Sequence, residues 1–433
     1  MEGTVIHWIG AVIGLILAIV LIFKKVNPVY ALFGGAVVGG LLGGASLTET
    51  VQYVIDGTNS VMGAVVRVLA AGVLAGVLIE SGAAERIAET IVAKLGEKKA
   101  LLSIALATMI ITAVGVFITV AIIIVAPIAL SVGKKIGISK TALLLALVGG
   151  GKAGNIISPN PNTIAVAKGF NVDLSQVMIN GFFPALAGLI VTVLVASLLM
   201  NKGTPIAEGD VPSEEGASSR KDKPSFGRAI VAPVIAIVLL AINPIGSILH
   251  IEALQSFKID SMIILPLAGI IGLIAMKQTK NIIAFTTSGL NKMTGTAIIL
   301  IGAGAIAGII SKSDLSSTVV DAISAMGISG TFLAPIAGIL MGAATASTST
   351  ASIVAAGSFG EAILSMGTSP LNAAVMVHSG AVVIDHLPHG NFFHVTADAV
   401  KMDIKNRMKL IPYESIVGLT MTIVATILYG FIF

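Results

Sequence analysis

Two polar, helix-breaking runs interrupt apolar stretches long enough to cross a bilayer, and they carry the main candidates for chemistry. The first run is Ser158-Pro159-Asn160-Pro161-Asn162-Thr163, and the second, 230 positions later, is Pro388-His389-Gly390-Asn391-Phe392-Phe393. Backbone groups released by such breaks cannot face lipid unsatisfied, so other parts of the protein must enclose them. Paired interruptions in two halves of a chain are typical of a transporter binding site.

The first break offers short neutral hydrogen-bonding groups to a solute. Its prolines remove backbone donors, and the glycines before it permit close approach to the backbone. A helix beginning at Ile164, capped by Asn162 or Thr163, would direct its positive N-terminus toward a carboxylate. A proline-kinked helix that satisfies its own backbone is the alternative. The predicted substrate-binding residues here are Lys152, Asn155, Ser158, Asn160, Asn162 and Thr163.

The second break brings titratable groups into an apolar region. Asp385, His386 and His389 are predicted to carry a coupling proton, because an ionisable group at membrane depth is costly and histidine titrates near neutrality. Asn391 is predicted to contact substrate. The chain has no cysteine and lacks the His-Glu-x-x-His spacing of zinc sites, so no metal and no cofactor are expected. The coupling ion is H⁺, with Na⁺ as the alternative.

Two basic residues are expected inside the membrane. On this interpretation, Lys152 offsets an anionic substrate or pairs with Asp385, and Arg67 pairs with Glu80 or Asp56 or reaches toward a membrane interface. An intramembrane charge of this kind is a functional hypothesis by default.

Composition places the chain in a bilayer. Hydrophobic residues make up 55% of the 433 positions and charged residues only 11%, whereas soluble domains carry about a quarter charged residues. The apolar segment Val5 to Phe23 lacks a basic stretch before it and predicts a retained span rather than a signal peptide. The net charge of +4 does not suggest nucleic-acid binding, because the basic residues lie between the apolar segments.

Apolar segments of membrane length define the elements that must position these residues. Two longer segments, 101–132 and 329–360, have small or polar residues at their middle and predict re-entrant hairpins, with a single long tilted helix as the alternative. The second tip is rich in hydroxyls, so Thr345, Ser347, Thr348, Ser349 and Thr350 are predicted to bind substrate. Segments 140–170 and 370–400 predict broken spans. Full spans are expected near 5–23, 28–45, 60–80, 178–200, 229–249, 261–276, 294–311 and 414–433.

The order of these elements predicts an inverted repeat. Residues 1–200 form the first repeat, 201–228 a flexible cytoplasmic linker, and 229–433 the second repeat. Five crossings in each half place 21 Lys and Arg residues inside and 3 outside when both termini are outside, which fits the positive-inside rule. The predicted fold is an all-α polytopic membrane protein with about ten transmembrane helices, two re-entrant helical hairpins and two broken helices.

These motifs resemble the gluconate permease family, within the wider ion-transporter superfamily. The resemblance rests on the first polar run with its Ala-rich continuation to Ala167, on Asp173-Leu174-Ser175, on the hairpin Thr345 to Ala356, and on Ser379-Gly380-Ala381 followed by His386 and Phe392-Phe393. It covers most of the chain. It implies proton symport of sugar acids or related small hydroxy acids.

The sequence therefore predicts a secondary active transporter, and not an enzyme, in the bacterial inner membrane. It would import a small organic anion with protons by alternating access. Sodium coupling and cation–proton antiport are the alternatives. An intramembrane hydrolase using Ser379 beside His378 is disfavoured, because adjacent residues on a helix point apart. The sequence leaves the anion and the oligomeric state open, a homodimer included.

Overall fold

The computed structural model describes residues 4–211, 223–257, 259–325, 329–388 and 390–433. The regular structure in these ranges is helical, apart from one β-bridge between Ile6 and Ser313, and turns and loops connect the helices. The first half contains α1 (Trp8–Phe23), α2 (Pro28–Leu42), α3 (Leu47–Glu80), α4 (Ala83–Leu95), α5 (Ala100–Ala113), α6 (Ile118–Ile136), α7 (Lys140–Ile156), α8 (Pro161–Gly169), α9 (Leu174–Asn180) and α10 (Phe182–Leu198). The second half contains α11 (Phe226–Ala229), α12 (Val231–Leu249), α13 (Glu252–Gln255), α14 (Ser261–Ala275), α15 (Ile282–Ser311), α16 (Leu315–Ala325), α17 (Leu333–Thr345), α18 (Thr348–Ser365), α19 (Pro370–Ala381), α20 (Asn391–Ala399), α21 (Ile404–Met408) and α22 (Ile411–Ile427).

The helices have the length and composition of an integral membrane protein. Within the described ranges, six segments are long and apolar enough to cross a bilayer, and counting the bent pair α9–α10 as one span makes seven. Several other expected spans, among them α1, α2 and α14, are apolar helices of only 15 or 16 residues. The count of ten spans stays a prediction.

Two helices are longer than the apolar pattern indicates. α3 begins at Leu47 and α15 at Ile282, although spans were expected only from 60 and 294. A capping box between Ser46 and Glu49 starts α3, because each residue satisfies a backbone amide of the other. The hydropathy pattern identifies only the apolar part of such a helix, whereas the capping residues mark the position where the helix begins.

The two segments predicted as hairpins are each two helices separated by a sharp break. α5 and α6 are joined through Gly115, which has a φ of 104°, and α17 and α18 through Ala346, which has a φ of 45°. The helices of each pair pack against each other. A single straight helix is therefore excluded in both places, while entry and exit by one membrane face stays a prediction.

The two long helices α3 and α15 cross through glycine contacts. Gly57 lies against Gly308 and Gly76 lies against Gly289, so the helices run antiparallel. A Cβ on Gly57 would come within 2.7 Å of the Gly308 backbone, and one on Gly76 within 2.6 Å of the Gly289 backbone. Small residues that allow backbones to approach in this way are typical of helix pairs in membranes.

Gly289→Ala is expected to lower the melting temperature of the purified protein. The new Cβ would lie 1.9 Å from the carbonyl oxygen of Gly72, and overpacking of this kind costs about 1–3 kcal/mol. Gly295→Ala on the same helix meets nothing within 4 Å and serves as the matched control. Thermal denaturation in detergent measures both variants, and equal melting temperatures would contradict the close crossing.

The linker 201–228 is not simply a flexible loop, because both of its described ends are held. The Nζ of Lys140, at the start of α7, lies 2.8 Å from an Asp210 carboxylate oxygen. At the other end, the Nζ of Lys223 lies 2.5 Å from a carboxylate oxygen of Glu85 on α4. Polar composition alone could not reveal these partners, and the bounds of the linker stay a prediction.

The contact with Lys140 lowers the pKa of the Asp210 carboxyl. Burial alone would raise the pKa of the Asp210 carboxyl, but the hydrogen bond and charge of Lys140, with the backbone amide of Ala207, hold that pKa below its ordinary value of 3.8. A depressed pKa means that the folded protein favours the ionised form. The linked stability is therefore present above the ordinary pKa and is lost as the pH falls through the lower, folded pKa.

Asp210→Asn is expected to lower stability at pH 7 by up to about 1 kcal/mol, because the Lys140 ion pair is lost. The difference from the unsubstituted protein should be constant above about pH 5, begin to shrink near the ordinary pKa of 3.8 and vanish only below the lower pKa of the folded protein, where the wild-type carboxylate is protonated as well. Melting temperatures measured across this pH range test the prediction. Glu208→Gln, at an exposed neighbouring carboxylate, is the control. A difference that does not change with pH would contradict the assignment.

Candidate functional site

Both predicted helix breaks are present, and they are built differently. α7 ends at Ile156 and α8 begins at Pro161, with the Asn160 side chain accepting hydrogen bonds from the first turn of α8. The predicted cap at Asn162 or Thr163 was therefore wrong. In the second half, α19 ends at Ala381 and α20 begins at Asn391, so the break starts before Pro388, and the last three residues of the predicted run, Asn391 to Phe393, are helical.

Asparagines organise the first break. Asn155 Oδ1 accepts hydrogen bonds from Asn160 Nδ2 at 2.5 Å and from Asn162 Nδ2 at 2.9 Å. The Ser349 hydroxyl of α18 donates to Asn162 Oδ1 at 2.5 Å. The three asparagines are almost fully buried. These bonds join the beginning of α8 to the beginning of α18, which come from opposite halves of the chain.

An ion pair joins the two breaks. Lys152 is fully buried, and its Nζ lies 2.7 Å from Asp385 Oδ1 and 2.5 Å from the Val382 carbonyl oxygen. The Thr348 hydroxyl donates to the second oxygen of Asp385 at 2.5 Å. The predicted contact between Lys152 and Asp385 is thus present. Each of these two buried charges is thus the counter-charge of the other, and a buried charge without such a partner would be strongly destabilising.

A second buried ion pair lies nearby, and sequence reasoning missed it. Arg407 of α21 donates to both carboxylate oxygens of Glu414 on α22, at 2.7 and 3.0 Å, and neither residue is exposed. The guanidinium also stacks on the Phe393 ring, 4.9 Å from its centroid. The available signal was two opposite charges seven residues apart at the edge of the last apolar span, one on each side of the break between α21 and α22.

Some buried polar atoms at the first break lack a protein partner. Asn155 Nδ2 and the Thr112 hydroxyl have none among the described residues, although the carbonyl of Thr112 accepts a bond from Ser158 Oγ at 2.7 Å. Buried donors are nearly always satisfied, by water or by a ligand if not by protein. The α8 and α18 N-termini lie beside these groups and favour negative charge.

A cavity of about 490 Å³ leads toward these N-termini between α3, α8, α15 and α18. Its charged lining residues are Asp56, Lys168, Lys312 and Glu361. The first residue of α8 that lines the cavity is Ala165, three residues after Asn162. The first such residue of α18 is Ile353, three residues after Thr350. The asparagines and the ion pair are thus separated from this cavity by about one helical turn.

The structure does not bring every predicted residue into this cluster. Asn391 is exposed, and His389 lies outside the described residues. The Thr345 hydroxyl donates to the Met341 carbonyl, and that of Thr350 donates to Ser347 Oγ, so both act within their own helix ends.

Arg67 also differs from expectation. It pairs with Asp260 at the start of α14, not with Glu80 or Asp56, and it thereby ties α3 to the second half. Glu80 instead pairs with Lys292 at 2.8 Å. Within the described ranges no three His, Asp or Glu side chains converge as metal ligands.

A helical membrane fold with two broken helices around a buried charged cluster defines a transporter of the permease type. The particular family follows from the sequence: the model of the GntP family permeases matches residues 5–432, and the chain belongs to this family. The predicted resemblance to the gluconate permeases is confirmed. The chain is a permease and not an enzyme.

Similar proteins agree with this assignment. An uncharacterized transporter of Haemophilus influenzae is 52% identical over 427 residues, which cover 99% of each chain. A high-affinity gluconate transporter of Escherichia coli K12 is 26% identical, over 97% of this chain and 98% of its own. The crystal structure of the YdaH transporter of Alcanivorax borkumensis matches 89% of this chain and 90% of its own, with 14% identity and a TM-score of 0.63. This last likeness concerns the fold alone.

Proposed function

We propose that this protein imports a small organic anion, a sugar acid or hydroxy acid similar to gluconate, together with a proton. The observation that carries the proposal is the buried Lys152–Asp385 pair, which joins the two helix breaks. The gluconate transporters among the relatives support the substrate class. The substrate would lie among Lys152, the asparagines of the first break and the N-termini of α8 and α18.

Charge balance explains why the two solutes would move together. The formal charges of Lys152, Asp385, Arg407 and Glu414 cancel when His386 is neutral. A monovalent anion alone, or a proton alone, would leave one uncompensated charge, which costs at least about 2.5 kcal/mol at membrane depth. When both bind, the cluster is neutral again. One proton for each monovalent anion is therefore the favoured ratio.

The inverted repeat supplies the movement. In the repeat, Gly57 and Gly76 of α3 correspond to Gly289 and Gly308 of α15, which have the same spacing. Gly57 contacts the counterpart of Gly76, and Gly76 contacts the counterpart of Gly57. Reciprocal contacts of this kind are what a two-fold relation produces. They support halves 1–200 and 229–433 of inverted topology, ten spans, two re-entrant hairpins and access that alternates as the hairpin-bearing parts move. Both termini would then lie outside the inner membrane.

The substrate class and the coupling ion can be tested together. Purified protein is screened by thermal shift against sugar acids, hydroxy acids and dicarboxylates, with uncharged sugars as controls. Uptake of the stabilising anion into vesicles is then driven either by a pH gradient or by a sodium gradient at clamped pH. We expect accumulation with the pH gradient alone. Accumulation with sodium would establish sodium symport instead, and cation–proton exchange without any bound anion would overturn the proposal.

A further inference from the structure

The imidazole of His386 lies between the two buried carboxylates. Its Nδ1 is 3.2 Å from Asp385 Oδ1 and 3.0 Å from Lys152 Nζ. On the other side of the ring, Nε2 is 3.8 Å from Glu414 Oε2 and 3.0 Å from the Ile411 carbonyl oxygen. The imidazole is fully buried. It therefore connects the substrate-facing ion pair with the Arg407–Glu414 pair.

Hydrogen bonding defines the resting tautomer of this ring. Since the Lys152 ammonium has only protons to offer, Nδ1 accepts, and Nε2 carries the hydrogen that the Ile411 carbonyl accepts. A ring in this state can take a proton at Nδ1 and release another from Nε2. The Ser415 hydroxyl, 3.3 Å from Nε2, is the other polar group on that side.

Glu414 is an unusual residue to retain for packing alone. A buried ion pair is commonly no more stabilising than apolar residues of the same volume, so Arg407 and Glu414 need a reason beyond stability. The pair lies directly beneath the surface, because Lys405 and Lys409, on either side of Arg407, are both exposed. Glu414 is thus a buried carboxylate that lies between Asp385 and this surface in the described part of the chain.

We propose that Glu414 is the release station of the coupling proton and that His386 relays the proton to it. The Asp385 carboxyl gives its proton to Nδ1 of His386, the resulting imidazolium gives its Nε2 proton to Glu414, and Glu414 loses it to water at the α21 end. One O–H bond is exchanged for another and no electron is transferred. The ring is left with its hydrogen on Nδ1, and it returns to the first tautomer when water, admitted as access changes, returns a proton to Nε2 and takes the proton from Nδ1. This route rests on the proton symport proposed above and gives it a direction.

The test removes both charges of the second pair together, so that no buried charge is left alone. Arg407→Met/Glu414→Gln protein and unsubstituted protein are reconstituted in vesicles that hold a pH-sensitive dye, with Thr420→Ala on α22 as the matched control. Three quantities are measured: anion accumulation driven by a pH gradient, proton movement driven by an anion gradient, and exchange of labelled for unlabelled anion at equal concentrations. Gluconate is the first probe, followed by the anions found by thermal shift.

We expect the double variant to lose accumulation and proton movement by about a hundredfold while exchange stays within a factor of two or three of the unsubstituted protein, because proton transfer by a positioned group contributes on that scale. Unchanged proton movement would overturn the relay. If the double variant loses exchange as well as proton movement, the relay is also overturned and the pair has a structural role. If the unsubstituted protein itself moves no protons with the anion, the proton symport fails first, and the two failures are thereby distinguished.

Discussion

Lys152→Met protein is expected to take up no measurable substrate and to melt at a lower temperature than the unsubstituted protein. The substitution leaves Asp385 buried without its cation, and breaking a buried pair in this way costs about 3–5 kcal/mol. It also removes the only fully buried lysine of the described residues, which is the group best placed to balance a substrate carboxylate. Uptake into vesicles and thermal denaturation measure the two effects.

A second substitution separates binding from stability. Lys152→Met/Asp385→Asn restores the charge balance, so most of the lost melting temperature should return while uptake remains absent. Lys135→Met, at an exposed lysine on the last turn of α6, is the control and should leave both properties unchanged. A double variant that transports normally would show that the ion pair serves folding alone.

The helix breaks themselves could be predicted because their cause is local. Single prolines such as Pro127 in α6 and Pro266 in α14 lie inside continuous helices, but two prolines within three residues, as in the first break, or a proline two residues before a glycine, as in the second, remove more of the helical hydrogen bonds. The end of the first break was nevertheless predicted three residues too late. Pro161 suits the first position of a helix, since its φ is fixed near the helical value and its missing amide is not needed there. Asn160, not Asn162, is then the capping residue.

Long-range partners could not be predicted in the same way. Asp56 and Glu80 were proposed for Arg67 because they are near in sequence, but on one helix they lie about 16–20 Å along the axis from it. The true partner, Asp260, belongs to another helix in the second half. Arg407 and Glu414 were overlooked for a related reason. Each lies at the boundary of an apolar segment, where charged residues are ordinary, and only the packing of α21 on α20 and of α22 on α7 buries them.

Lys152 and Asp385 were predicted as partners because intramembrane charges have few alternatives. A lysine and an aspartate that interrupt apolar sequence must each find a counter-charge, in the protein or in the substrate. The asparagine network gives no such signal. Asn155, Asn160 and Asn162 were predicted as substrate ligands, yet much of their hydrogen-bonding capacity is used among themselves and with Ser349. Their contact with substrate stays a prediction.

Asp385→Asn protein is expected to lose proton-driven accumulation by about a hundredfold while it retains exchange of labelled for unlabelled anion. An asparagine at this position keeps one acceptor oxygen, which can retain the hydrogen bond from Thr348 or from Lys152 but not both in their present places, and it cannot carry a proton. In exchange, the protein with bound anion opens to the other side of the membrane, swaps one anion for another and returns with anion bound. Accumulation requires in addition that the proton is released. Parallel assays in vesicles therefore distinguish a lost proton site from a lost binding site.

The same substitution has a second, opposite effect that strengthens the test. Without the aspartate, Lys152 keeps an unbalanced positive charge, which a bound anion would offset. Asp385→Asn protein should accordingly be less stable when empty and should gain more melting temperature from the substrate than the unsubstituted protein gains. Asp321→Asn, at an exposed aspartate of α16, is the control. Proton-driven uptake at the unsubstituted level, or a smaller gain of stability from substrate, would remove Asp385 from the coupling mechanism and place the proton elsewhere in the protein.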